Sequence, residues 1–484
     1  MNSTQKMNNK VVSAVKWSAA TSIAAKLVAP LSTMILARIL TPEAFGVLVT
    51  ATMVISFAEI FTDAGFQKYI VQHQFVNDEQ LFESTNVAFW SNLSFSLVVW
   101  AVIAVFSGQI AHLVGNDGYG LVIAVSCVCI PLTAFSSLQM ALFQRWMDFR
   151  TLFLVRVVGI LVPLVISIPL ALVTRSYWSL IIGMIVQNAV NAILLTWRSP
   201  WKPCLFYDIH LFREMFSFTM WSMIESITIW LTGYIDVFIV GTVLSTYYMG
   251  IYRTSITLVG AITSIFTSAT TPVLFSALSR LQDDNEEFRQ LFFKFQKVVG
   301  LVVIPLGVGI YLFRDLITDI ALGDQWGEAA YVIGLWGLAN SLMIVLSHYS
   351  SEIYRAKGKP KYSVLSQCIA IAITIPTVLI SIQYGFQQLC FWRSAARVFM
   401  ITVNLPLVYI LVRITPLQMF RNIFPSLMAT LVMVAVYYLL PVHQAIWSSI
   451  INVLVCAAVY TIIISLFPKE RYLLLNLKTI LSKR

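Results

Sequence analysis

Long apolar stretches separated by short polar connections run the length of the chain. Between Glu83 and His112 lie 28 residues without a charge or a histidine, and 22 more lie between Arg175 and Arg198. From Arg421 to Lys469 only His443 interrupts the run. A helix needs about 20 apolar residues to cross the hydrocarbon core of a bilayer. The runs are too continuous for membrane-barrel strands, which alternate with period two. Within a bilayer every backbone N–H and C=O must find a partner inside the protein, and a helix satisfies them locally. The pattern predicts fourteen helices. The first six span 11–39, 44–66, 84–108, 120–143, 151–173 and 177–197. The next six span 214–241, 247–271, 294–313, 328–349, 362–383 and 388–411, and the last two 421–441 and 446–467.

Composition sets the class. The chain has 484 residues, 58% hydrophobic and only 11% charged. Soluble domains carry about 25% charged residues, and a soluble chain could not hide this much apolar surface. Disordered chains are polar and poor in aromatics, so disorder is excluded as well. The fold class is an all-α polytopic membrane protein. The first ten residues are polar, and the apolar stretch from Val11 is too long for a signal peptide, so no cleavable signal is expected. Cys127, Cys129, Cys204, Cys368, Cys390 and Cys456 lie in or beside apolar segments, where neither a disulfide framework nor a zinc site is expected.

Charge sets the orientation. Of the 32 lysines and arginines, 24 fall on the side of the two termini, whereas only Arg38, Arg175 and Arg314 fall on the other. Cytoplasmic loops of membrane proteins carry this excess, so both termini are expected in the cytoplasm. The net charge of +10 reflects this bias and contact with anionic lipid headgroups, and no nucleic-acid partner is expected.

The loops repeat. Leu40-Thr41-Pro42-Glu43-Ala44-Phe45-Gly46 recurs as Leu244-Ser245-Thr246-Tyr247-Tyr248-Met249-Gly250, an offset of 204. Val114-Gly115-Asn116-Asp117 is echoed by Leu322-Gly323-Asp324-Gln325, and the basic Arg145–Arg150 loop by Arg355–Lys361. Three echoes in order divide the chain into lobes 1–208 and 209–412, followed by a helix pair and tail in 413–484. Six helices per lobe make the repeat parallel, with substrate expected where the lobes meet.

Four helices carry polar residues on one face. The stripes are Ser18, Ser22, Lys26, Pro30 and Thr33 on the first helix, and Thr52, Ser56, Glu59 and Asp63 on the second. The seventh carries Ser217, Trp221, Glu225, Thr228, Thr232 and Asp236, and the eighth Arg253, Thr257, Ala261, Ser264 and Ser268. These are repeat-equivalent pairs, as the walls of a cavity between two related lobes would be. Hydroxyl stripes also bind helices to one another, so the serines and threonines suit either role. Charges inside the bilayer are costly and mark function more sharply. The candidate cavity residues are Lys26, Glu59, Arg156, Glu225, Asp236, Arg253, Arg393 and Arg397. A buried Lys26–Glu225 pair, and snorkelling of Arg156 and Arg253 to the interface, are the structural alternatives.

Catalytic patterns are missing from the sequence. It has no Walker loop, HExxH or dinucleotide-binding glycine pattern, and its five histidines are scattered. No enzyme activity, metal or cofactor is expected, and coupling to a proton or sodium gradient, or to no ion, is left open by the sequence.

Ala14-Val15-Lys16-Trp17-Ser18 and Leu36-Ala37-Arg38-Ile39-Leu40-Thr41-Pro42-Glu43-Ala44-Phe45-Gly46 resemble the opening of bacterial polysaccharide-repeat flippases. These are the Wzx-type members of the multidrug/oligosaccharidyl-lipid/polysaccharide exporter superfamily. Asp63-Ala64-Gly65-Phe66 and Tyr234-Ile235-Asp236, followed by Ile239-Val240-Gly241, look like that family's motifs. Gly323-Asp324-Gln325-Trp326 and the segment from Pro272 to Asp284 fit too, closest to exporters of the colanic-acid type. The likeness runs from residue 11 to about 410, and Val237 stands where relatives often carry a basic residue. The resemblance implies two lobes in a V that open alternately to either side. It implies an undecaprenyl-pyrophosphate-linked oligosaccharide as cargo, with polysaccharide polymerase and chain-length machinery as candidate partners. A drug/cation antiporter of the same superfamily is the alternative. A membrane glycosyl polymerase or ligase would resemble chains with a large periplasmic loop, which this one lacks.

Overall fold

The computed structural model describes residues 17, 21, 24–26, 28–63, 65–359, 361–441, 446–468 and 470–471, with side chains except at 63, 217–222, 224, 225 and 269. Every regular element among the described residues is a helix. The first, α1, is helical over 28–39, and the start of the predicted 11–39 helix lies outside the described residues. There follow α2 (Pro42–Asp63), α3 (Asp78–Val105), α4 (Gly120–Arg145), α5 (Phe149–Thr174), α6 (Trp178–Arg198) and α7 (Ile209–Val243). Then come α8 (Thr246–Arg280), α9 (Asn285–Leu312), α10 (Ala329–Ala356), α11 (Lys361–Tyr384) and α12 (Phe386–Val412). The last two are α13 (Pro416–Leu439) and α14 (Ile446–Ser465). Thirteen helices among the described residues are long and apolar enough to cross a membrane, each matching a predicted span.

The chain forms two compact units, Met1–Arg253 and Thr254–Arg484, with the division inside α8. In the first unit, Phe66, Ile70, Phe89, Leu138, Leu142 and Trp201 form a core at the end of the bundle holding the α2–α3 connection. Arg145 fastens that connection. Its guanidinium donates to the carbonyls of Ile70 (2.9 Å) and His73 (2.7 Å) and lies 4.7 Å from the Phe75 ring centre. Beside it the Tyr69 hydroxyl donates to Glu214 at 2.9 Å. Burial, then this bond and the carboxylate charge, push the Tyr69 phenol pKa up, so it stays a neutral donor.

The two echoed corners of the chain meet within the first unit. A Cβ at Gly46 would lie 2.0 Å from the Thr246 carbonyl oxygen, and one at Gly250 would lie 1.9 Å from that of Pro42. Offset by 204, position 46 becomes 250 and 42 becomes 246, so each corner does to the other what is done to it. Only glycine permits backbones this close. Asn116, in the α3–α4 loop, locks the contact: it donates to the Thr50 hydroxyl at 2.7 Å and accepts from the Thr246 hydroxyl.

The second unit has its own core of Leu278, Phe288, Phe292, Val303, Tyr354 and Val408. Here Lys357, in the loop that echoes Arg145–Arg150, donates to Asn285 at 2.8 Å and sits 4.6 Å above the Phe288 ring. Each unit thus uses a basic residue at the end of α4 or of its equivalent α10 to fasten the connection that follows α2 or α8. Asn404 of α12 ties in its neighbours: it accepts from Tyr354 (3.0 Å) and Ser366 (2.9 Å) and donates to Ser347 (2.8 Å). Helices α13 and α14 pack on α9 through Leu301, Ala429, Met433 and Tyr460, and the Tyr460 hydroxyl donates to the Leu301 carbonyl at 2.7 Å.

Candidate functional site

The polar face of α2 borders a cavity of about 420 Å³ in the first unit. The left-handed turn at Gly65 (φ 98°) ends α2 and swings Gln67 and Lys68 to its rim. Glu59 comes from α2, Asn92 from α3, Ser137 from α4 and Ser226 from α7. Asn92 is fully buried. Its amide donates to the Ser137 hydroxyl at 2.9 Å, while its carbonyl oxygen has no hydrogen-bond partner. Burying such an oxygen unpaired costs about 1–3 kcal/mol. Alongside, the Trp230 indole donates to Ser56 at 3.0 Å and stacks on Tyr234 at 5.5 Å, which holds α7 against α2.

Farther along the chain lie two more predicted residues, Asp236 of α7 and Arg253 of α8. Asp236 is buried and accepts from the Tyr252 hydroxyl at 2.9 Å. Arg253 donates to the Gly233 carbonyl at 3.2 Å and lies 4.7 Å from the Tyr234 ring centre. Lys26 is half-buried on the α1 side, and Arg156 is exposed on α5. The Glu225 side chain lies outside the described residues.

The second unit brings Arg393 and Arg397 together on one ring. Their guanidinium carbons lie 5.2 and 4.8 Å from the Trp336 ring centre. Arg397 also forks onto the Asn340 carbonyl oxygen, with Nε at 3.1 Å and Nη2 at 2.6 Å. Asn340 in turn donates to the Thr263 hydroxyl of α8 at 2.9 Å. Arginine suits this role because its planar fork fixes orientation while the cation stacks on an aromatic face. Three helices thereby hold two positive charges near the middle of α12.

The sequence reading singled out the charges and missed what they contact. Asn92 and Asn340 were visible as amides inside apolar runs, the signal that could have found them. Trp336, Ser137 and Thr263 gave none, because their importance depends on which helix faces meet.

Thirteen membrane-length helices among the described residues, with charged side chains such as Asp236 and Arg393 buried between them, define a multi-pass membrane protein. Over residues 35–331 the chain matches the family described as "Polysaccharide biosynthesis protein", and it belongs to that family. It is 24% identical over 378 residues to an "Uncharacterized membrane protein in cps region" of Klebsiella pneumoniae, covering 77% of this chain and 76% of that one. It is 22% identical over 380 residues to the "Lipopolysaccharide biosynthesis protein WzxC" of Escherichia coli K12, covering 77% and 75%. Its fold is similar to that of the lipid II flippase MurJ in an inward closed conformation, with a TM-score of 0.76 at 14% identity over 95% of this chain and all of the other.

Proposed function

We propose that the chain is a flippase that moves undecaprenyl-pyrophosphate-linked oligosaccharide repeats between leaflets of the bacterial inner membrane by alternating access. A diphosphate cannot cross hydrocarbon unaided, since even one carboxylate-sized ion costs on the order of 20 kcal/mol by idealised Born estimate. The observation that carries the reading is the pair Arg393 and Arg397, held on Trp336 and Asn340 inside an apolar helix. Charge kept at such a depth suits an anionic group that replaces water there. Lys26, Arg156 and Arg253 add positive charge from the first unit, whereas Glu59, Glu225 and Asp236 are candidates for coupling to a proton or sodium gradient. Both termini lie in the cytoplasm on this reading. The working halves are the repeat lobes 1–208 and 209–412, with 413–484 an addition beside the lipid tail. Polysaccharide polymerase would receive the cargo on the far side.

The test is deletion of the gene followed by analysis of lipid-linked sugars. The expected result is accumulation of completed repeat units on the cytoplasmic leaflet with loss of surface polysaccharide. Normal polysaccharide together with drug hypersensitivity would overturn the reading in favour of the antiporter.

A further inference from the structure

The cavity of the first unit is distinct from the arginine pair, and its chemistry differs. Of the twelve described residues that border it, nine carry polar side chains. Among the described residues that border it, one carboxylate, Glu59, and one ammonium, Lys68, balance each other. A diphosphate gains nothing from such a balanced lining, since the carboxylate opposes what the ammonium offers. A sugar ring gains a great deal. Each of its hydroxyls both donates and accepts, and the border supplies both kinds of partner. The Asn92 oxygen and Glu59 accept, Lys68 and Gln67 donate, and the hydroxyls of Ser137 and Ser226 do either. Asn92 borders the cavity, and its buried carbonyl oxygen lacks a hydrogen-bond partner. Its volume of about 420 Å³ falls within the range of small-molecule sites.

We propose that this cavity between α2, α3, α4 and α7 is a subsite for the uncharged sugar residues of the cargo, read through the Asn92 oxygen and Glu59. The proposal rests on the flippase reading and adds a division of labour to it. The sugar is recognised in the first unit by a neutral, hydroxyl-matching pocket, and the diphosphate elsewhere by fixed cations. An anionic sugar would meet Glu59 and be disfavoured.

The experiment measures binding to the purified full chain in lipid nanodiscs with two probes: undecaprenyl diphosphate carrying a neutral disaccharide, and unglycosylated undecaprenyl diphosphate. Asn92→Ala should weaken binding of the glycosylated lipid about tenfold, the loss expected for one buried hydrogen bond, with no matching loss for the unglycosylated one. Ser226→Val, at the border of the cavity, should shift the two probes apart in the same sense and serves if Asn92→Ala fails to accumulate. Parallel weakening of both lipids would overturn the proposal, and so would unchanged binding of both, which would leave a cavity that holds only water. Wild-type protein that binds neither lipid would instead defeat the flippase reading itself.

Discussion

Arg397 illustrates how a single side chain can be costly and retained. Desolvating a guanidinium is expensive unless it is stacked and hydrogen-bonded, and here it is both, on Trp336 and on Asn340. If it serves the cargo diphosphate, Arg397→Ala should cut export roughly ten- to hundredfold at equal membrane abundance, the value of a desolvated charge-assisted contact. Arg397→Lys should recover only part of that, because an ammonium carries the charge without the planar fork. Surface polysaccharide measured with protein abundance checks both variants. Equal export by Ala and wild type would reduce Arg397 to a packing residue. Asp236 is a different case. Read from the sequence it belonged to a polar stripe, and its carboxylate accepts the Tyr252 hydroxyl in a buried site.

Among the elements, the reciprocal corner makes the sharpest demand on sequence. Gly46→Ala and Gly250→Ala each put a Cβ about 2 Å from a carbonyl oxygen across the contact. Forced overpacking of this kind costs about 1–3 kcal/mol. Both variants should therefore lower the thermal midpoint of the detergent-solubilised protein, and by similar amounts because the contact is symmetric. Gly309→Ala, where an added Cβ meets nothing within 4 Å, should leave the midpoint unchanged or slightly raised. The helices themselves were legible because apolar run length reports membrane crossing directly. Their ends were less so. Helix α9 was predicted from 294 but begins at Asn285, where the Asp284 side chain caps the amides of Glu286 and Glu287 at 2.9 and 3.0 Å. Helix α13 was predicted from 421 but begins at Pro416, behind a Thr415–Gln418 capping box. Helix α3 likewise starts at Asp78, capped by Asn77. Outside the hydrocarbon, capping rather than hydropathy decides where a helix stops. The Leu40–Gly46 echo was legible too, but nothing in it announced that the two copies pack on each other.

At the scale of the whole molecule, the chain combines a repeated helical bundle, glycine-dependent close packing where the repeats meet, and two polar sites of unlike chemistry in separate units. That combination suits a cargo with a neutral head, an anionic linker and an apolar tail. The most direct measurement of the central claim uses the purified chain in sealed proteoliposomes with undecaprenyl-diphosphate-linked oligosaccharide bearing a fluorophore on its sugar. A membrane-impermeant quencher is added outside. With the protein present, fluorescence should fall past the outer-leaflet share as inner-leaflet molecules are delivered to the quencher, and Arg397→Ala should slow that second phase. Loss that stops at the outer-leaflet share, as in protein-free vesicles and with any ion gradient imposed, would contradict the account.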